Sequence, residues 1–209
     1  MSTAYSDTQT DTSEGLETCF AVSYYSRARL VSNLLPLLHR SPRPRVLSIL
    51  NGTKEKPINE QDLGLEKNWG VLPVVNHTTM FTSLAFDYLA AHDDQKHITF
   101  LHATPGLVKT GSPKQKPKRE DGWLRWILIS IVKFLSSYIV GYTGSALDES
   151  GERHAFALTS DSFQPGSWRV DKLSNALPDN QALVDYQQRG WADKIWEHTQ
   201  TVWYKALAT

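Results

Sequence analysis

Apolar residues recur along this chain at two spacings. Leu16, Phe20, Tyr24, Leu30, Leu34 and Leu38 fall near every fourth position, the stripe of an amphipathic helix. Asp11-Thr-Ser-Glu14 ahead of them has capping-box spacing, so a helix is expected over 14–38, with Pro36 near its end. Arg43-Pro-Arg then delivers Val46-Leu-Ser-Ile-Leu50, an unbroken apolar run that reads as a buried strand near 45–50. A second helix fits 75–91, where Met80, Leu84 and Tyr88 make one stripe and Phe81, Ala85 and Leu89 lie beside it. Residues 97–103 form a second apolar run, stopped by Pro105-Gly106, and a third strand is expected near 154–159. The chain closes on a helical pattern over 180–207, bent at Gly190, with Trp191, Ile195, Trp196, Thr199, Val202 and Trp203 on it; the tryptophans read as packing residues.

Between these elements lie a polar excursion at 51–73 with Pro57, Gly64, Gly70 and Pro73, and a basic Pro/Gly-rich loop at 109–122. The most hydrophobic segment, 123–142, is expected to be helical, and 160–178 reads as irregular. The order α-β-α-β-α-β-α predicts an α/β fold with a parallel sheet of about three strands. Residues 1–12 are expected to be flexible and 13–209 to make one domain. In parallel sheets ligands sit at the carboxyl ends of strands, where Asn51-Gly52 and Pro105-Gly106 fall.

Composition narrows the chemistry. Of 209 residues 40% are hydrophobic and 21% charged, globular values that argue against disorder. Lys+Arg and Asp+Glu are both 22, so no general electrostatic attraction to nucleic acid is expected. The single cysteine, Cys19, excludes an internal disulfide framework and a cysteine-built metal site, and no H-E-x-x-H cluster or G-x-S-x-G elbow marks a metal centre or hydrolase serine. The first fifteen residues carry no apolar signal core, which reads as cytoplasmic. Segment 123–142 has the length of a membrane span but contains Arg125 and Lys133. It is expected either to cover a substrate cleft or to lie on a membrane surface, the latter suggested by the basic loop before it and by Trp123 and Trp126.

The stretch "HATPGLVKT", 102–110, resembles the strand-loop motif of the short-chain dehydrogenase/reductase family, Pro-Gly followed by an apolar residue and Thr. "EGLETCFAVSYYSRARLVSNLLPLL" resembles that family's long interface helix and "RVLSILNG" the strand after it. "DESGERHAFALTS" and "KIWEHTQTVW" resemble the carboxyl-terminal part of a fungal branch found in secondary-metabolite pathways. The resemblance covers roughly 12–205 and implies a partial Rossmann-like fold. It further implies an NADP(H)-linked oxidoreductase acting on a ketone or alcohol of a polyketide-like or terpenoid intermediate. Pro105, Gly106, Val108 and Thr110 would face the nicotinamide; the same loop also reads as a turn kept for its geometry.

Two departures accompany the resemblance. The family's TGxxxGxG turn, whose backbone cradles pyrophosphate at a helix N-terminus, has no counterpart here. The positions of its catalytic Ser, Tyr and Lys hold Asn51, Val75 and Thr79, so no Tyr-x-x-x-Lys is present. Asn51 can hydrogen-bond a carbonyl without relaying a proton. His77 is either a replacement acid or a helix-start histidine with a local hydrogen bond, and His102 reads as a core histidine. A non-redox isomerase- or cyclase-type activity, or an inactive remnant serving as an auxiliary partner protein, therefore stands beside the oxidoreductase expectation. Relative to the family the chain looks truncated, either as a gene model or in fact, and strand 45–50 should have an open edge. Self-association, or association with a pathway enzyme, would cover that edge.

Overall fold

The computed structural model describes residues 9–105 and 147–208. Gly106, Val108, Thr110, the basic loop 109–122 and the segment 123–142 lie outside the described residues. The elements in chain order are α1 (Thr18–Phe20), a π-helical turn (Ala21–Tyr25) and α2 (Ser26–Leu38), then β1 (Arg45–Ile49), α3 (Val71–Ala91) and β2 (Thr99–Ala103). There follow α4 (Leu147–Thr159), β3 (Gly166–Val170), β4 (Ala176–Leu177), α5 (Gln181–Gln188) and α6 (Trp191–Leu207). The sheet has the order β1-β2-β3-β4. β1–β2 and β2–β3 are parallel, and β4 closes the far edge antiparallel.

The fold is therefore α/β with a mostly parallel sheet, consistent with a partial Rossmann-like architecture. β2 is its axis and is buried along its whole length, as a parallel strand covered on both faces must be. Ile98 and Phe100 pack into a large cluster with Phe81, Leu84 and Ile195, supplied by α3 and α6. Leu101 and Ala103 join a smaller one with Ala157, Phe163 and Val170 on the opposite face, under α4. The tryptophans of α6 serve this packing: Trp196 and Trp203 meet edge-on at 5.6 Å, and Trp203 Nε1–H donates to Tyr25 O at 3.1 Å.

Three local expectations are corrected. The first helix starts at Thr18, because Gly15 (φ 73°) turns the chain and Glu17 caps instead, its carboxylate accepting from Cys19 N–H and Phe20 N–H. Residues 154–159 are not a strand but the last turns of α4. Only Ala157 of the run is fully buried, while Phe156 and Leu158 are 50% and 41% exposed, so the short apolar run is a helix seen side-on. Glu149–Arg153 at i,i+4 and acids in the first turn support the helix. The third parallel strand is β3, inside the stretch read as irregular, where the buried Arg169 breaks the apolar signal. The bend at Gly190 is a full break: in the left-handed region (φ 69°) it ends α5 and starts α6.

Candidate functional site at the carboxyl ends of the parallel strands

The β1–β2 ladder runs one residue past the strands: Leu50 N–H donates to Ala103 O at 3.1 Å, and Thr104 N–H donates across to Val170 O at 2.9 Å. Asn51 and Pro105, both half-buried, therefore emerge side by side at the carboxyl edge of the sheet. Gly52 then crosses directly over β2. A Cβ there would lie 2.1 Å from His102 O, so the crossing admits no side chain. The Thr104 hydroxyl donates to Gly52 O, and Thr53, in the left-handed region, sets its Oγ1 3.3 Å from Thr104 Oγ1. The loops after β1 and β2 are thus locked together, and this edge is built by backbone approach rather than by a helix N-terminus.

Beneath it is a buried polar network. Glu55 accepts from Thr53 N–H (3.2 Å), Ser83 Oγ–H (2.6 Å) and Asn180 Nδ2–H (2.9 Å), the acceptor-only pattern of a carboxylate. Ser83 has one proton, and that goes to Glu55; its oxygen therefore accepts from His102 Nδ1–H at 2.8 Å. His102 Nε2 is then the unprotonated nitrogen, and it is buried without a hydrogen-bond partner among the described residues. Burial, and then the cations Arg169 and Arg27, hold the His102 pKa well below its ordinary value.

Arg169, 1% exposed, donates to Asp87 Oδ1 at 2.5 Å and to Ser167 Oγ at 2.7 Å. Its Nε lies 3.5 Å from Asp179 and 3.9 Å from Glu55. Gln187 bridges Asp87 and Asp179. A buried guanidinium is tolerated only when compensated in this way. The network pins the loop after β1 to α3, β2, β3 and the start of α5, where Asn180 also caps the helix through Leu183 N–H.

His77 lies elsewhere on α3. Its Nε2 accepts from Asn59 N–H at 2.9 Å, which leaves the ring proton on Nδ1, facing Leu63 O at 3.2 Å. Burial lowers its pKa, so His77 is a neutral tie between α3 and the 59–63 loop. The structure thus brings Asn51 and Pro105 together and gives His77 a separate set of contacts. Tyr24 and Tyr25 are no nearer to acid chemistry: burial raises both pKa values, and their hydroxyls bond to Thr199 and His198. Among the described residues no group of three or more His, Cys, Asp or Glu side chains is placed to hold a metal ion.

Sequence reasoning missed Glu55, Ser83, Arg169 and Asn180. The one available signal was Arg169 between Trp168 and Val170: a lone cation within a strand-length apolar segment implies buried counter-charges. Nothing local identified Glu55 or Asn180, which meet across 125 positions.

Comparison with known proteins returned no matching family model. It did return fungal oxidoreductases. The chain is 32% identical to oxidoreductase lepF of Aspergillus flavus over 94% of its own length and 64% of the relative's. It is 28% identical to the NmrA-like family domain-containing oxidoreductase notO of an Aspergillus species, over 94% and 60%. Short-chain dehydrogenase/reductase SAT2 of Stachybotrys chartarum is 32% identical over 60% of this chain and 35% of the relative. The chain spans less than two thirds of the length of these proteins. The chain is accordingly similar to part of the length of fungal oxidoreductases, one of them described as NmrA-like and another as a short-chain dehydrogenase/reductase.

Proposed function

We propose that this chain belongs to an NADP(H)-linked oxidoreductase of a secondary-metabolite pathway, acting on a ketone or alcohol of a polyketide-like or terpenoid intermediate. The observation that carries this reading is the juxtaposition of Asn51 and Pro105 at the carboxyl edge of the parallel strands, the location where such sheets hold ligands. The Asn51 amide donates a hydrogen bond to the substrate carbonyl and orients it. Pro105 starts the loop whose Gly106, Val108 and Thr110 would lie along a nicotinamide. The cofactor, when bound, supplies hydride transfer.

The fit is to one end of the dinucleotide. The edge offers an amide side chain and a strand-end proline, but the sequence contains no glycine-rich strand-turn-helix to give a pyrophosphate its backbone donors. His77 would have to release Asn59 N–H or Leu63 O to act as an acid, and Asn51 holds the carbonyl without moving a proton. On this reading the partners are a small-molecule metabolite and either a second copy of this chain or a pathway enzyme. The working place is the cytoplasm, with 123–142 serving either to cover the substrate cleft or to meet a membrane surface. Among the described residues no helix is long and apolar enough to cross a membrane.

A second reading is favoured by Asn51, Val75 and Thr79 standing at the positions of the family's Ser, Tyr and Lys: a non-redox isomerase- or cyclase-type step, or an inactive auxiliary protein. Calorimetric titration with NADPH separates the two. Micromolar binding that weakens with Asn51→Ala or Pro105→Ala supports the oxidoreductase; no heat of binding at millimolar NADPH leaves the second reading.

A further inference from the structure

The Asn51-Gly52 pair carries a reactivity that the site above does not use. It is the one Asn-Gly step in the sequence; the other six asparagines precede Leu, Glu, Trp, His, Ala and Gln. Residues 51–54 form a turn closed by Lys54 N–H, which donates to Asn51 O at 3.1 Å. Thr53, its third residue, has φ 77°, as in a type II turn.

That closing bond engages the Lys54 N–H, and the Thr53 N–H goes to Glu55. Gly52 N–H has no acceptor among the described residues, and the Asn51 side-chain amide has no partner there either. Gly52 is held against β2 through its carbonyl, which accepts from Thr104, and through the missing Cβ that lets it pass His102 O. Neither contact engages its nitrogen. Asn51 is only half-buried, within reach of water.

We propose that Asn51 is a self-modification site: in the folded chain the Gly52 nitrogen attacks the Asn51 side-chain carbonyl and converts residue 51 to a carboxylate. The bond from Gly52 N to Asn51 Cγ forms, the Cγ–Nδ2 bond breaks, and ammonia leaves with the Gly52 amide proton. The product is a five-membered imide. Water, the one co-reactant, then adds to either of its carbonyl carbons. Opening at Cγ leaves aspartate, and opening at the main-chain carbon leaves isoaspartate.

The structure favours this step at residue 51 in three ways. Glycine sets no Cβ beside the attacking nitrogen. Lys54 N–H on the Asn51 carbonyl polarises the 51–52 peptide and makes its N–H a better acid. No hydrogen bond has to break to free either reacting group. Asn180 and Asn68 differ: the Asn180 amide bonds to Glu55 and Leu183 N–H, and Asn68 Nδ2 bonds to Asp62. The consequence is chemical. An amide donates and accepts, whereas a carboxylate only accepts, so the carboxyl edge of the sheet loses a donor whatever ligand it takes. Isoaspartate also lengthens the main chain just before the Gly52 crossing.

The test incubates the full chain at mildly alkaline pH in water enriched in oxygen-18. One sample is folded and a second is unfolded in guanidinium. Fragments are followed by mass spectrometry, with enzymatic methylation to report isoaspartate. The expected result is one heavy oxygen at residue 51, ahead of every other asparagine, at a folded-state rate within about tenfold of the unfolded one. The Asn51→Ser chain should leave that fragment unchanged. A folded rate more than about tenfold below the unfolded rate would mean that the locked loop shields Asn51, and overturns the proposal. So does a folded chain in which another asparagine reacts first.

Discussion

Acidification from about pH 7.5 to about pH 5.5 tests the buried network through His102, whose folded-state pKa is well below 6.5. The groups facing His102 are Ser83 on α3, Glu55 on the loop after β1, Arg169 on β3 and Arg27 on α2. Glu55 alone favours a charged ring, but its Oε1 is 3.9 Å from Nδ1 and is already held by Ser83 and Thr53, so burial and the two arginines prevail. The unfolded chain takes up a proton at 6.5 and the folded chain does not. Below that value the unfolded state binds more protons, so stability is fully present above it and is lost as the pH falls toward the folded pKa. One pH unit below, the loss is on the order of 1 kcal/mol. His77 and His198, also lowered by burial first, act in the same direction. His102→Asn isolates the one contribution, because its amide N–H can replace Nδ1–H toward Ser83 and does not titrate. In urea unfolding followed by tryptophan fluorescence, the variant should lose on the order of 1 kcal/mol less than wild type over the interval, a few tenths of a molar in midpoint. Superimposable pH dependences for the two proteins would refute the assignment of a buried neutral His102.

Three further outcomes are expected. Gly52→Ala forces a Cβ onto the His102 carbonyl at 2.1 Å, backbone against backbone, and should cost at least about 1–3 kcal/mol in chemical denaturation; an unchanged midpoint would mean the crossing is looser than described. Ser83→Ala removes the hydroxyl shared by Glu55 and His102 and strands the His102 Nδ1–H, a loss of about 1–3 kcal/mol, whereas Ser83→Thr should recover part of it if it fits. Asp93 accepts from Gln95, His97 and Ile98 N–H just before β2. Asp93→Ala should lower the thermal midpoint by several degrees at neutral pH, read by circular dichroism, and an effect no larger than that of Asp94→Ala would count against it.

Much of the architecture was legible because it repeats locally. The four-residue stripe of α3 and the unbroken apolar runs at β1 and β2 reflect surfaces that must leave water whatever their partners are. The strand ends were legible too: Asn51 and Pro105 mark where each run stops, and the parallel order implied that both stops share an edge. The run at 154–159 was ambiguous, since six residues fit one face of a helix as well as a strand and only the packing of Ala157 against the sheet decided between them.

By itself, the sequence determined which segments are amphipathic or buried and where the chain turns. The tertiary structure decided what is polar and buried. Glu55, Ser83, His102, Arg169 and Asn180 come from three elements, a loop and a helix cap, and each is tolerable inside only because the others are there. A hydrophobic residue is driven inward by its own surface, so its burial is written in its identity. A charged residue is buried only by its partners, and at separations of 28 to 125 positions those partners are set by the fold.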